Sequence, residues 1–126
     1  MSAMTMLSKG DKYYSYSGEL FGDVSAPASI QMIFIPNTGL KDSYVEIMPS
    51  YGKDISDANN AQLGIQIKLD DVVIVNAQRT AFYETMYGPN SFKLFIPRQS
   101  KLEVISLNTS GNNTQIRSCN LIGYYL

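Results

Sequence analysis

Apolar residues recur at every second position through much of this chain, and this period constrains the fold more than any other feature of the sequence. Leu63, Ile65, Ile67 and Leu69 alternate with polar or small residues, and the segment 92–96 repeats the pattern. Successive side chains of a β-strand point to opposite faces, so the pattern is typical of strands with one buried face. The 3.6-residue period of an amphipathic helix is almost absent. The sequence therefore predicts an all-β protein.

Turn-forming residues divide the alternating runs into short strands. Clusters of Gly, Pro, Asn, Asp and Ser fall between the runs at the spacing that a β-sandwich needs. Asp70 and Asp71 lie between two β-rich runs and predict a tight hairpin turn, because Asp tolerates the positive φ of such turns. The predicted strands are 12–20, 28–36, 43–49, 63–69, 72–77, 81–87, 92–97, 101–108 and 115–125.

The tripeptide Phe-Ile-Pro closes an apolar run twice, in MIFIPNTGLKDSYVEIM and again in KLFIPRQSKLEVISL. Proline has no N–H to donate, so Pro36 and Pro97 each mark the point where a strand leaves its sheet. Two equivalent strand–corner–strand units fit the paired Greek keys of a jelly roll. We therefore expect a single antiparallel β-sandwich of jelly-roll type over residues 12–126, preceded by a short N-terminal arm over residues 1–11.

Size and charge limit the classes of partner. A chain of 126 residues has the length of one domain and can bury a core without disulfide bonds or metal sites. The net charge is −1 and the basic residues form no runs, so no nucleic-acid partner is expected. The longest apolar runs are too short to span a bilayer, and the N-terminus lacks the pattern of a secretory signal. We expect no membrane partner and synthesis in the cytoplasm.

The residues offer little material for catalysis. The chain has no histidine and one cysteine, and it carries no phosphate-binding or nucleophile motif. Cys119 is predicted to be a buried, inert thiol. The loop KDISDANNAQ carries oxygen ligands of the kind that Ca²⁺ prefers, but their spacing is not that of an EF-hand, which favours a loop without an ion. The sequence thus predicts no enzyme, no cofactor, no catalytic residue and no metal ligand.

The high tyrosine content is the feature of the composition that bears most on function, with nine tyrosines and no tryptophan. Amphipathic rings are favoured where protein surfaces meet, although about half of them are expected to cap the core of a small sandwich. The N-terminal arm is rich in methionine, which suits adaptable contacts. The candidate protein-contact residues are Met4, Met6, Leu7, Tyr13, Tyr14, Tyr16, Tyr83 and Tyr87.

Four segments of the chain together resemble small jelly-roll accessory proteins of tailed-phage virions. They are FIPNTGLKDSYVEI, LGIQIKLDDVVIVN, FIPRQSKLEVISLNTSGNN and NLIGYYL. The resemblance covers residues 18–126. It implies a structural or attachment role, as a capsid decoration protein or a subunit of a head or tail appendage. It also implies a virion location after synthesis in the host cytoplasm, and it implies two kinds of partner: copies of the chain itself and other virion proteins such as a major capsid protein.

Two other function classes stay open. Carbohydrate- or receptor-binding sandwiches use a similar Ile-Lys-Leu-Asp-Asp hairpin and would add a glycan as partner, but they usually show an exposed Trp or a row of rings on one face. An acid-only glycosidase would need two carboxylates facing one cleft. Of the three classes, the sequence favours a non-enzymatic virion structural protein that acts by multivalent docking.

Overall fold

The computed structural model describes residues 7–18, 20–22, 29–53, 61–81, 91–110 and 115–126. Every regular element in these ranges is a β-strand, which confirms the all-β prediction. The strands are β1 (Leu7–Lys9), β2 (Lys12–Tyr16), β3 (Leu20–Gly22), β4 (Ser29–Ile35), β5 (Ser43–Lys53), β6 (Ala61–Leu69), β7 (Val72–Ala81), β8 (Phe92–Ile96), β9 (Leu102–Ser110) and β10 (Gln115–Tyr125).

Several of the predicted strands differ from the observed ones. The predicted strands 43–49 and 72–77 continue further than expected, as β5 and β7. The predicted strand 12–20 is split into β2 and β3, which both pair with β10. The break contains Gly18, whose φ of 69° is a conformation that glycine adopts readily. The predicted strand 81–87 lies outside the described residues except for its first position, which ends β7.

The strands form two antiparallel sheets that pack face to face. The six-stranded sheet has the order β1-β2-β10-β5-β8, with β3 also beside β10, and the four-stranded sheet has the order β4-β9-β6-β7. For comparison with a jelly roll, β2 and β3 are counted as one interrupted strand and β1 is left out, so that eight strands are numbered 1 to 8 along the chain. The order across the sheets is then 1-8-3-6 in the six-stranded sheet and 2-7-4-5 in the four-stranded sheet. This is the connectivity of a jelly roll, and it confirms the predicted fold class.

The core lies between the sheets and is built mostly from alternate residues of the strands, except in β4, where the consecutive residues Met32 and Ile33 are both buried beside a register shift. Val45 and Ile47 of β5 point inward, as do Ile65 and Ile67 of β6, and all four are buried. The rest of the buried apolar cluster comprises Tyr13, Leu20, Ile30, Met32, Ile33, Ile35, Ile96, Leu102, Val104, Cys119 and Leu121. Burial of these side chains is the main favourable term in folding, at roughly 1.5–3 kcal/mol for each large one.

The two proline corners meet at one end of the sandwich. β4 ends at Ile35 and β8 ends at Ile96, each one residue before its proline, as predicted. The Thr38 amide donates to the Ser100 carbonyl oxygen at 2.9 Å, and the Ser100 amide donates to Thr38 Oγ1 at 3.1 Å. The repeated tripeptide therefore marks two corners that bond directly to each other, because both β4 and β8 turn into the next strand at this end.

The predicted hairpin turn at Asp70 and Asp71 is confirmed. Both residues have positive φ, 49° and 69°, and they join β6 to β7. The Lys101 amide donates to Asp70 Oδ1 at 2.8 Å, while Lys101 Nζ pairs with Asp71 Oδ1 at 2.6 Å. These contacts tie the hairpin to the segment between β8 and β9, so the two carboxylates have a structural role in the turn.

The last residues of the predicted arm belong to the six-stranded sheet. Leu7–Lys9 forms β1 and pairs with β2, with Leu7 opposite Tyr14 and Lys9 opposite Lys12. Residues 1–6, including Met4 and Met6, lie outside the described residues. The sheet thus begins before residue 12, because the Gly10–Asp11 turn folds β1 back onto β2.

Cys119 is buried, as predicted. Its side chain has no exposed surface and lies in the apolar cluster. Burial raises the pKa of the thiol to about 12, because the charged thiolate cannot be solvated there. A thiol in this state is a poor nucleophile near neutral pH.

Candidate functional site

The outer face of the six-stranded sheet carries most of the exposed rings of the described residues. Strand register places the side chains of neighbouring strands in rows across this face. One row consists of Lys12, Tyr124, Tyr44 and Phe95, and the next consists of Tyr14, Ile122, Glu46 and Lys93. Exposed apolar surface gathered in one place marks an interaction site more often than scattered residues do.

Tyr14 and Tyr16 form one half of this face, beside the edge strand β1. Their rings are parallel within 9°, with centroids 6.5 Å apart, because residues two apart on a strand point the same way. Tyr14 is half-buried and Tyr16 is 38% exposed. We call these two rings together with β1 the β1–β2 patch. It contains three of the predicted contact residues: Leu7 by its strand position, Tyr14 and Tyr16.

Tyr13 lies on the opposite face of β2 and has no exposed surface. Its hydroxyl bonds Ser43 Oγ at 2.8 Å, and its ring centroid is 5.0 Å from that of Tyr125. Burial raises the pKa of Tyr13 to about 12, since the phenolate would be desolvated. The structure thus places Tyr13 in the core, and its ring is not available to a partner in the folded chain. Tyr83 and Tyr87, the remaining predicted contact residues, lie outside the described residues.

The second half of the outer face is a groove on β5, β8 and β10. Tyr44, Glu46, Lys93 and Tyr124 line it. Tyr44 is 53% exposed and Tyr124 is 42% exposed. Phe95 stands at the edge of the groove, 48% exposed, with its ring edge-on to Tyr44 at 73° and 5.6 Å. We call these five residues the aromatic groove.

The aromatic groove is also polar. Glu46 and Lys93 are cross-strand partners in the β5–β8 pair, and both face the groove. In the described part of the chain, neither side chain forms an ion pair, whereas Lys101 and Asp71 do. On the far side of Tyr124, Lys12 Nζ lies 5.6 Å from the ring centroid, in a cation–π contact. The groove therefore combines ring faces, one acceptor and one donor.

Sequence reasoning did not select the aromatic groove. Tyr44 and Glu46 are separated from Val45 and Ile47 by the period-2 alternation, so their outward direction was readable from the sequence. The residues beside them on the sheet could not be predicted from the sequence, because positions 44, 95 and 124 become adjacent only through the pairing of β5 with β8 and β10.

The described residues hold no group of three or more His, Cys, Asp or Glu side chains that could bind a metal. The acidic loop that carries Asp54, Asp57, Asn59 and Asn60 lies outside the described residues. No helix in the described ranges is long and apolar enough to cross a membrane.

No protein-family model and no curated protein matches this sequence. Solved structures that are similar to the chain include a β-glucosidase from Paenibacillus barengoltzii, with 8% identity and a TM-score of 0.39 over 83% of this chain. They also include a chain from infectious bursal disease virus, Gx strain, with 14% identity and a TM-score of 0.43 over 90% of this chain. The chain spans 10% of the length of the first structure and 37% of the second.

Proposed function

We propose that this protein is a non-enzymatic structural subunit of a virion, a capsid decoration protein or an appendage subunit, that docks through the β1–β2 patch. The observation that carries the proposal is the paired, partly exposed rings of Tyr14 and Tyr16 beside a sheet edge. The sequence resemblance to accessory proteins of tailed-phage virions supports the choice of a virion as the place of docking.

The edge position of β1 favours contact with another protein. β1 is the last strand on its side of the six-stranded sheet in the described part, so one side of its backbone is open to pairing. An unpaired strand edge can accept a strand from a partner, and neighbouring rings then add buried area and specificity. Tyrosine suits such a contact, because it buries a large ring while its hydroxyl stays hydrated.

Repetition would make a modest contact sufficient. A stable single interface buries about 1,200–2,000 Å² in total, which a patch of two rings and a three-residue strand does not reach alone. On a lattice of repeated sites, effective concentration raises the apparent affinity without any new contact. The proposed partners are accordingly a repeated shell protein, such as a major capsid protein, and neighbouring copies of this chain.

A role without chemistry fits the residues on this face. Glycoside cleavage with carboxylates alone needs two of them across one cleft, with separated pKa values. Glu46 is the carboxylate that lines the aromatic groove, and within the described residues it has no second acid opposite it. This observation supports the non-enzymatic half of the proposal.

Co-sedimentation with the purified virion tests the proposed docking. The double variant Tyr14→Ala/Tyr16→Ala is expected to bind the particle at least about tenfold more weakly, a loss of 1.4 kcal/mol or more. Val73→Ala, a truncation of a comparably exposed side chain on the four-stranded sheet, is the control and should bind like the wild type. Thermal melts of both variants check the fold. Unchanged binding of the double variant would remove the β1–β2 patch from the mechanism.

A further inference from the structure

The aromatic groove has features that docking through the β1–β2 patch does not use. It lies on β5, β8 and β10, while the β1–β2 patch lies across the sheet on β1 and β2. Tyr44 and Tyr124 are direct cross-strand partners, and both exposed side chains line the groove. Ring faces of this kind offer an apolar surface to a ligand that has an apolar side of its own.

The polar groups of the aromatic groove are matched in number and opposite in sign. An ionised Glu46 only accepts hydrogen bonds, and a charged Lys93 only donates them. The two side chains are neighbours in the β5–β8 pair, and each is without an ion-pair partner in the described structure. The groove therefore offers a charged acceptor and a charged donor on neighbouring strands, with no net charge from the pair.

This set of groups selects the chemistry of the occupant. A ligand whose charges are all of one sign would gain from one of the two side chains and be repelled by the other. A fully apolar ligand would leave both charges desolvated without compensation. A ligand with adjacent hydroxyl groups satisfies both, because each hydroxyl donates to a carboxylate and accepts from an ammonium group.

We propose that the aromatic groove is a binding site for a neutral carbohydrate, whose C–H face rests on Tyr44 and Tyr124 while its hydroxyls bond Glu46 and Lys93. The geometry also limits the form of the carbohydrate. The rings of Tyr44 and Phe95 are inclined at 73°, so they do not form one flat platform. Phe95 therefore does not extend the Tyr44 ring into the wide flat surface that an insoluble polysaccharide would need, and we expect a sugar unit of a soluble chain as the occupant.

Calorimetric titration of the whole protein tests the site. The probes are neutral soluble oligosaccharides of glucose, galactose, mannose and N-acetylglucosamine, with a sulfated dextran as the charged comparison. We expect at least one neutral probe to bind with an affinity that changes little between about 50 mM and about 500 mM NaCl, because an uncharged ligand has no Coulomb attraction that salt could screen. Binding of the sulfated dextran alone, with an affinity that falls with salt, would overturn the proposal. So would no binding by any neutral probe.

Variants place the binding in the groove. Tyr44→Ala and Tyr124→Ala are each expected to weaken the neutral sugar by about tenfold or more, and Val73→Ala should leave the affinity unchanged. The double variant Glu46→Gln/Lys93→Gln should keep binding within a few-fold, since an amide still accepts and donates to hydroxyls. Equal affinity of Tyr44→Ala and wild type would refute the assignment. Co-sedimentation of Tyr44→Ala with the virion is expected to be unaffected. A failure of the sugar-binding proposal can therefore be distinguished from a failure of the docking proposal.

Discussion

Replacing Gly123 by alanine is expected to destabilise the sandwich severely. Gly123 on β10 is the cross-strand partner of Tyr13 on β2, and the Tyr13 ring occupies the space where a side chain at position 123 would begin. A Cβ at position 123 would lie 2.1 Å from Tyr13 Cζ and 2.2 Å from Cε1. Ordinary carbon contacts are about 3.5–4.0 Å, so the ring would have to move by about 1.5 Å.

The size of the expected loss in the free energy of unfolding follows from the contacts that hold the Tyr13 ring in place. Tyr13 is fully buried, and it is fixed by the hydroxyl contact with Ser43 and by the Tyr125 ring. Overpacking a core costs about 1–3 kcal/mol, and breaking a buried hydrogen bond adds about 1–3 kcal/mol when the groups are left unsatisfied. The expected loss is thus about 3–5 kcal/mol, a large part of the 5–15 kcal/mol that is typical of whole domains.

Urea unfolding followed by circular dichroism measures this loss, and a double-mutant cycle assigns its cause. In a Tyr13→Leu background the ring atoms that meet the new methyl group are gone, so Gly123→Ala should cost little or even stabilise the strand. The coupling energy between the two positions should therefore be about 3 kcal/mol. A Gly123→Ala protein as stable as wild type, or an equal cost in both backgrounds, would refute the packing argument.

Two further predictions concern the buried titratable groups. The free energy of unfolding should fall as pH rises from about 10 to about 12, because Tyr13 keeps its proton in the folded state and loses it on unfolding. Urea titrations across that pH range should show a shallower fall for Tyr13→Phe than for the wild type. Identical slopes for the two proteins would contradict the assignment to Tyr13. The thiol of Cys119 should react with a maleimide or a disulfide reagent only as fast as the protein unfolds, so labelling of the native protein within seconds would show that the thiol is accessible.

The sequence alone determined most of the described strands and the two proline corners, but not β1 or the break between β2 and β3. Strand identity depends on local alternation, and corner positions depend on residues whose backbone chemistry is fixed, such as Pro36 and Pro97. The same local rules determined the turn at Asp70 and Asp71, where positive φ is required in two successive residues. They also fixed which side of β5 faces inward, because Val45 and Ile47 alternate with Tyr44 and Glu46.

Only the tertiary structure decided which tyrosines are core and which are surface. The strand Lys12–Tyr16 reads KYYSY and has no aliphatic residue to show its inner face, so local pattern could not separate Tyr13 from Tyr14. The partner strand separates them, because Gly123 leaves room for one ring on the inner face of the sheet. The aromatic groove has the same origin. Its residues come from three strands far apart in sequence, and strand register, which is set by the packing of the whole core, brings them into two adjacent rows.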